Sequence, residues 1–223
     1  MTRPQPASSP APIVLKGRYC RLEPMTQEHA ADMFAAISGP EADARHRWLF
    51  SDAPADLAAL QAWINMTLAA PDQLYFAVID TATGRCGGRH ALMRLRPEHG
   101  SIEIGGVLWG AGVAKTRLAT EAFYITAKHV FDDLGYRRFE WKCNDRNLGS
   151  KRAATRFGFT FEGVFRQDMI VKGENRDTAW FSMLDHEWPA LKARFETFLD
   201  PANFDETGQS KTPLSTPRLP TSG

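Results

Sequence analysis

Residues 102–113 read Ile-Glu-Ile-Gly-Gly-Val-Leu-Trp-Gly-Ala-Gly-Val, a strand pattern that dissolves into small residues just before a helix. Glycines inside a strand mark a bulge or a close backbone approach. A bulged strand bares N–H groups, and the helix start that follows adds more at the positive end of its dipole, so phosphate or thioester oxygens fit there. Lys115, Thr116 and Arg117 bring charge and a hydroxyl to the same place. The same residues also read as a plain helix start with solvated charges. Glu103 stands just ahead of the glycines on a strand expected to be central. A carboxylate there is either a general base or half of an ion pair with a neighbouring element. Glu140 and Asp177 are weaker candidates for a base, Asp177 because it follows a turn. The six histidines are scattered without an i, i+4 pair, so no metal site is expected.

A second segment, 147–159, reads Asn-Leu-Gly-Ser-Lys-Arg-Ala-Ala-Thr-Arg-Phe-Gly-Phe and follows directly on an apolar strand, 139–143. Asn147 is a competent N-cap and Gly158 a competent stop for the helix between them. Ser150 places a hydroxyl on its first turn, where a capping role is the plain reading.

The elements that must position these residues follow from periodicity. Residues 13–24 read as a strand broken at Gly17, and 27–38 as a helix in which Ala30, Met33, Phe34 and Ile37 recur at three and four, with Thr26 as its cap. The spacing of Leu57, Leu60, Ile64 and Leu68 predicts a helix over 56–69. Strands are expected at 74–79, 86–95 and 101–109, a long helix at 118–134 closed by Gly135, and a short strand at 138–143. A helix over 148–157, a hairpin of 159–171 with 176–184 around Lys172 to Asn175, and an amphipathic helix over 187–199 complete the domain. This is an α/β (α+β) pattern: a mixed, mostly antiparallel sheet with helices on both faces.

The chain has 223 residues, 43% of them hydrophobic and 24% charged, and 27 basic against 26 acidic side chains leave a net charge of +1. That is the composition of a soluble globular protein, with no electrostatic argument for nucleic-acid or anionic-membrane partners. Cys20, Cys86 and Cys143 are odd in number and widely spaced, which supports neither a disulfide framework nor a cysteine metal site and points to a reducing cytoplasm. No run of about 18 apolar residues or signal pattern is present. Proline-rich composition reads 1–12 as a flexible arm and 200–223 as a flexible tail, leaving 13–199 as one domain.

The order of motifs is more specific than any one of them. A strand, a glycine loop and the Ala119-Thr120-Glu121-Ala122 helix start are followed by a strand, Asn147-x-x-Ser150 and the Gly-Phe pair at 158–159. This order resembles the GNAT N-acyltransferase superfamily. The segment from Leu15 to Pro24, Leu-Lys-Gly-Arg-Tyr-Cys-Arg-Leu-Glu-Pro, is similar to the first strand of its branch of ribosomal-protein N-terminal acetyltransferases (RimJ/RimL-like). The resemblance runs from about residue 13 to 184.

What the resemblance implies is an acyl-coenzyme A, most simply acetyl-CoA, bound between two splayed central strands and transferred directly to a primary amine of a small molecule or a protein N-terminus. The pantetheine arm would pair near Val107, Leu108 and Trp109, and the pyrophosphate near Lys115, Thr116, Arg117, Leu118 and Ala119. Asn147 would touch the pantetheine region, and Lys151, Arg152 or Arg156 the adenosine phosphate, although a solvated helix face explains those three equally. Glu103 would be the base, the Leu108 N–H the oxyanion donor and Ser150 the acid. His46 with Arg45, Arg47 and Trp48 falls where the resemblance places acceptor-binding elements.

Two departures stand out. The family's phosphate loop, Gln or Arg, two residues, Gly, one residue, Gly or Ala, falls on Ala114, Arg117 and Ala119, so only the last agrees, and an arginine at a position needing positive φ would be strained. The tyrosine common four residues before the Gly of Gly-Phe is replaced by Ala154. An inactive CoA-binding or scaffolding protein of the same shape is therefore the alternative expectation. The acceptor and the acyl length are not legible, and a homodimer is what the resemblance suggests.

Overall fold

The computed structural model describes residues 6–214. Eight strands form one sheet in the order β1-β2-β3-β4-β5-β6-β8-β7. They are β1 (Leu15–Lys16), β2 (Cys20–Pro24), β3 (Gln73–Asp80), β4 (Cys86–Arg96), β5 (Ser101–Trp109), β6 (Arg138–Asn144), β7 (Thr160–Val171) and β8 (Glu174–Leu184). Only β5 with β6 is parallel. The helices are α1 (Ala30–Ile37), α2 (Ala42–His46), α3 (Leu57–Leu68), α4 (Arg117–Lys128), α5 (Leu148–Phe157) and α6 (Trp188–Leu199).

Alternation along the strands feeds two cores, because both faces of the sheet are covered. On β3, Phe76 and Val78 join one cluster with Phe123 of α4 and Phe195 of α6, while Tyr75, Ala77 and Ile79 join the other with Met33 of α1 and Ile64 of α3. The first cluster is aromatic at its centre: the Phe123 and Phe157 rings stack at 4.3 Å, which fixes α5 against α4.

The break at Gly17 is a tight turn between β1 and β2, held by one buried carboxylate. Glu121 of α4 accepts the backbone N–H groups of Arg18 at 2.8 Å, Tyr19 at 2.6 Å and Cys20 at 2.7 Å. A Cβ at residue 17 would lie 2.5 Å from that carboxylate, so only glycine leaves room.

Three expectations differ from the structure. The expected 118–134 helix is α-helical only to Lys128; residues His129–Asp133 form a π-turn, with the Leu134 N–H donating to the His129 carbonyl and His129 Nδ1 2.8 Å from Asp133 Oδ2. The short α2 has no sequence periodicity long enough to announce it. Of the expected tail, residues 200–214 lie against the domain with Phe204 and Leu214 buried, and of the expected arm, Ala7 and Ser8 donate to the carbonyls of Pro97 and Leu134. The remaining parts of both terminal expectations, 1–5 and 215–223, lie outside the described residues.

The feature that opens the sheet is a bulge in β5. Pairing with β4 runs Ala91 to Gly105 and then Arg89 to Leu108, so β5 carries one residue too many between them. Gly106 takes up φ +58 there. The bulge reverses the alternation: Ile102 and Ile104 face the first core, but Leu108, of the same parity, packs in the second, and Val107 and Trp109 turn to the first. Arg89, 3% exposed, locks the turn by donating from Nη1 to the Gly106 carbonyl at 2.6 Å, with its guanidinium 3.9 Å from the Trp63 ring centre.

Two stability outcomes follow. Glu121→Ala strands three inward-facing N–H groups and is expected to cost about 3 kcal/mol in a denaturant titration. Gly106→Ala combines a positive φ with a Cβ 2.8 Å from the Tyr75 hydroxyl, and is expected to lower the thermal midpoint by a cost of about 1–3 kcal/mol.

Candidate active site

The parallel ladder of β5 with β6 is four pairs long, from Ser101 with Arg138 to Ile104 with Trp141. Beyond it, residues 105–109 keep β4 on one edge and have no strand partner on the other. A cavity of about 270 Å³ fills this gap. Its lining mixes the two faces of the sheet: Glu103, Gly105 and Lys142 from one, Trp141, Cys143 and Ser150 from the other. Residues from both faces can share one cavity only where the strands have parted.

Glu103, 5% exposed, lines that cavity and is also ion-paired. Its Oε2 is 2.8 Å from Lys142 Nζ and 3.1 Å from Arg94 Nε. In the parallel register Glu140 stands beside Glu103, and Lys142, two residues further on the same face, also reaches Glu140 at 2.7 Å. The two carboxylates are pushed apart in acidity. Burial raises Glu103 above the ordinary glutamate value against the pull of Lys142 and Arg94, and the charge of Glu140 adds to the rise. Burial opposes ionisation of Glu140 too, but hydrogen bonds from Arg138 and Lys142 carry it below the ordinary value. Of the two buried carboxylates, Glu140 is thus held toward its charged form and Glu103 shifted toward its protonated one. Asp177 is a hairpin residue, accepting the Gln167 N–H at 2.7 Å and Asn175 Nδ2 at 2.9 Å.

Asn147 caps α5, its Oδ1 accepting the Ser150 N–H at 3.0 Å, and it lines the cavity as well. Ser150 Oγ accepts from Trp141 Nε1 at 2.9 Å, which orients the hydroxyl, and its own proton is within hydrogen-bonding reach of the Cys143 sulfur. Ala154, which stands in the place of the missing tyrosine, is fully buried in the first core.

At the helix start, Thr116 caps α4 by accepting the Leu118 N–H at 3.1 Å, so that expected donor is already engaged. The N–H groups of Arg117 and Ala119 have no backbone partner among the described residues. The expected strain at Arg117 is corrected: Arg117 is the first helical residue, and the positive φ of +63 belongs to Lys115, two places earlier. The Arg117 guanidinium stacks 4.4 Å from the Tyr19 ring centre and 5.4 Å from that of Phe204, instead of reaching into the loop. Lys151 is paired with Asp145 at 2.6 Å, Arg156 with the Thr120 hydroxyl at 3.1 Å, and Arg152 is exposed.

His46 is buried with Nδ1 2.9 Å from the Ala42 carbonyl, while Arg45 and Trp48 beside it line the cavity. Sequence reasoning missed Lys142, Arg94, Arg89 and Arg176. The one available signal was the two-residue spacing of Glu140 and Lys142, which puts opposite charges on one face of a strand otherwise reading as buried. Among the described residues no cluster of three metal-ligating side chains occurs, and no helix is long and apolar enough to cross a membrane.

Comparison with known proteins gives the family. Residues 20–160 match the family described as acetyltransferase (GNAT) domain. A GCN5-related N-acetyltransferase from Brucella melitensis is 50% identical, with the match covering 94% of this chain and 95% of that one at a TM-score of 0.91. A GNAT-family acetyltransferase structure from Chromobacterium violaceum ATCC 12472 is 38% identical over 83% of this chain and 92% of that one, at a TM-score of 0.78. The ribosomal L7/L12 alpha-N-protein acetyltransferase RimL shares 15% identity over 77% of this chain and 94% of that one, at a TM-score of 0.67, a likeness of fold alone. No curated protein matches the sequence. With a parted central sheet, an acidic group in the gap and a family match over more than half its length, the chain belongs to the GNAT acetyltransferase family.

Proposed function

We propose that this acetyltransferase moves an acetyl group from acetyl-CoA directly to a primary amine of a small molecule or a protein N-terminus. One observation carries the reading: Glu103, the unpaired edge of β5 and Ser150 all line the same 270 Å³ cavity. The pantetheine arm lies along Val107, Leu108 and Trp109, adding hydrogen bonds where β6 has left. The pyrophosphate meets the Arg117 and Ala119 N–H groups at the α4 start, with Lys115 and Thr116 beside it. Arg152, exposed on α5, meets the adenosine phosphate. Assignment to the RimJ/RimL-like branch belongs to the same proposal and rests on the segment from Leu15 to Pro24.

The chemistry follows from what these residues can do. The amine attacks the thioester carbonyl and the C–S bond breaks. The oxyanion is met by an N–H of the free edge of β5, such as that of Val107; the Leu108 N–H expected from the sequence is turned toward β4, where Leu108 pairs with Arg89 in the register that the Gly110 N–H to Gly87 carbonyl bond continues. Glu103, whose burial raises its proton affinity, takes the proton from the amine through water. Ser150 gives a proton to the departing thiolate and regains one through solvent from the proton that Glu103 has taken.

Free-thiol release from acetyl-CoA over an amine panel tests this directly. Glu103→Gln is expected to lower kcat by about 10²–10⁴-fold with little change in acetyl-CoA affinity by calorimetry. The pH profile of kcat/KM adds a sign. Both the acceptor amine and Glu103 must lose a proton, so activity falls with falling pH, and its slope steepens from one proton to two below the raised Glu103 value. In Glu103→Gln the slope stays at one. Acetyl-CoA binding without thiol release for any amine, unaffected by Glu103→Gln, would assign the chain to carrier binding instead.

A further inference from the structure

A second cavity, of about 500 Å³, lies between residues 43–53 and the β7–β8 hairpin. It meets the first at Trp48 and Arg176, which line both. Arg176 enters β8 just past the Lys172-Gly173 turn, opposite Met169, and is 6% exposed. Its Nε donates to the Thr178 hydroxyl at 3.2 Å, and its guanidinium lies 5.0 Å from the Phe50 ring centre. Among the described residues its two terminal nitrogens have no hydrogen-bond partner, and no carboxylate comes within 4.0 Å.

The other cations of the two walls are matched or wet. Lys142 sits between Glu103 and Glu140, Arg94 is on Glu103, Lys172 is 2.9 Å from Asp52 and Arg45 is 3.6 Å from Glu41. Arg47 is exposed. Burial pushes the Arg176 pKa below the ordinary arginine value while the charges of Asp168 and Glu103, which line the first cavity with it, pull the other way, and its terminal nitrogens open to the cavity instead of being sealed in the core. Its open fork matches a carboxylate with two parallel N–H···O bonds.

We propose that the acceptor is a small amine that also carries a carboxylate, and that Arg176 binds this carboxylate at the junction of the two cavities, turning the amine toward Glu103. The inference rests on the acyl-transfer reading of the same site. Asp43, Asp52 and Glu174 also line the larger cavity, so a single negative charge fits this setting better than a dianionic phosphate. The same carboxylates draw in the ammonium end.

The test uses the full chain, acetyl-CoA and matched acceptors: amino acids, the amines that lack only the carboxylate, and the corresponding aminoalkyl phosphates. Thiol release is expected to show kcat/KM about 10- to 100-fold higher for the carboxylate member of the best pair, the worth of a charge-assisted hydrogen-bonded pair. Arg176→Met is expected to shrink that ratio toward one, chiefly through KM, and Arg176→Lys to restore part of it. Equal kcat/KM within every pair, a phosphate member that is best, or a loss in Arg176→Met shared equally by both members overturns the proposal. A calorimetric titration of the same acceptors into the CoA-saturated protein reads carboxylate recognition without turnover. Selective binding lost in Arg176→Met supports the proposal, and no selectivity overturns it, whereas thiol release absent for all amines counts against acyl transfer alone.

Discussion

Past Ile104 and Trp141, β5 and β6 stop sharing hydrogen bonds, and the site exists because one edge of β5 is left without a partner. In a sheet covered on both faces, unpaired main-chain groups are expensive unless something satisfies them. Here the bulge at Gly106 turns the strand, and Arg89 holds the freed carbonyl from behind. The buried guanidinium has no carboxylate partner among the described residues; it stands against the rings of Trp63 and Tyr75, at 3.9 and 5.2 Å from their centres. The cost of parting the strands is thus met partly within the protein, and the edge that remains faces the cavity.

The electrostatics of the cavity follow from register. A parallel pairing that sets Glu103 beside Glu140 would be repulsive alone, and Lys142, packed 3.9 Å from the Trp180 ring centre, sits between them. With Arg138 committed to Glu140 and Glu162, Glu140 stays ionised and Glu103 carries the raised proton affinity. Backbone strain gathers in the same region. Arg94 beside Glu103, Lys115 in the loop before α4, and Gln167 next to the cavity-lining Asp168 and Met169 all adopt positive φ without being glycine. Such conformations persist where the surrounding structure over-determines them, and they concentrate at functional sites.

What the sequence made legible was local. β5 and α5 begin and end where read, because Asn147, Gly158 and the glycines of 105–110 act within a few residues of themselves. Glu103, Asn147 and Ser150 are singled out on those same elements, Glu103 by its place before the glycines and Asn147 and Ser150 as cap and first-turn hydroxyl, and all three line one cavity. The π-turn after Lys128, the short α2 and the excess residues of β7 around Gln167 depend on distant packing and leave no periodic trace. Lys142 and Arg176 carry no local signal, since nothing near them in sequence tells which charges the fold will bring together. The strain expected at Arg117 was misplaced by two residues because a motif fixes the order of a loop but not which residue turns it.

Amide hydrogen exchange, with and without acetyl-CoA, tests the parted sheet most directly. The account predicts that exchange within 105–109 is measurable in the free protein and slows on adding acetyl-CoA, together with that of 117–119 at the start of α4. Full protection of 105–109 before any ligand is added, or slowing confined to other strands, would contradict it.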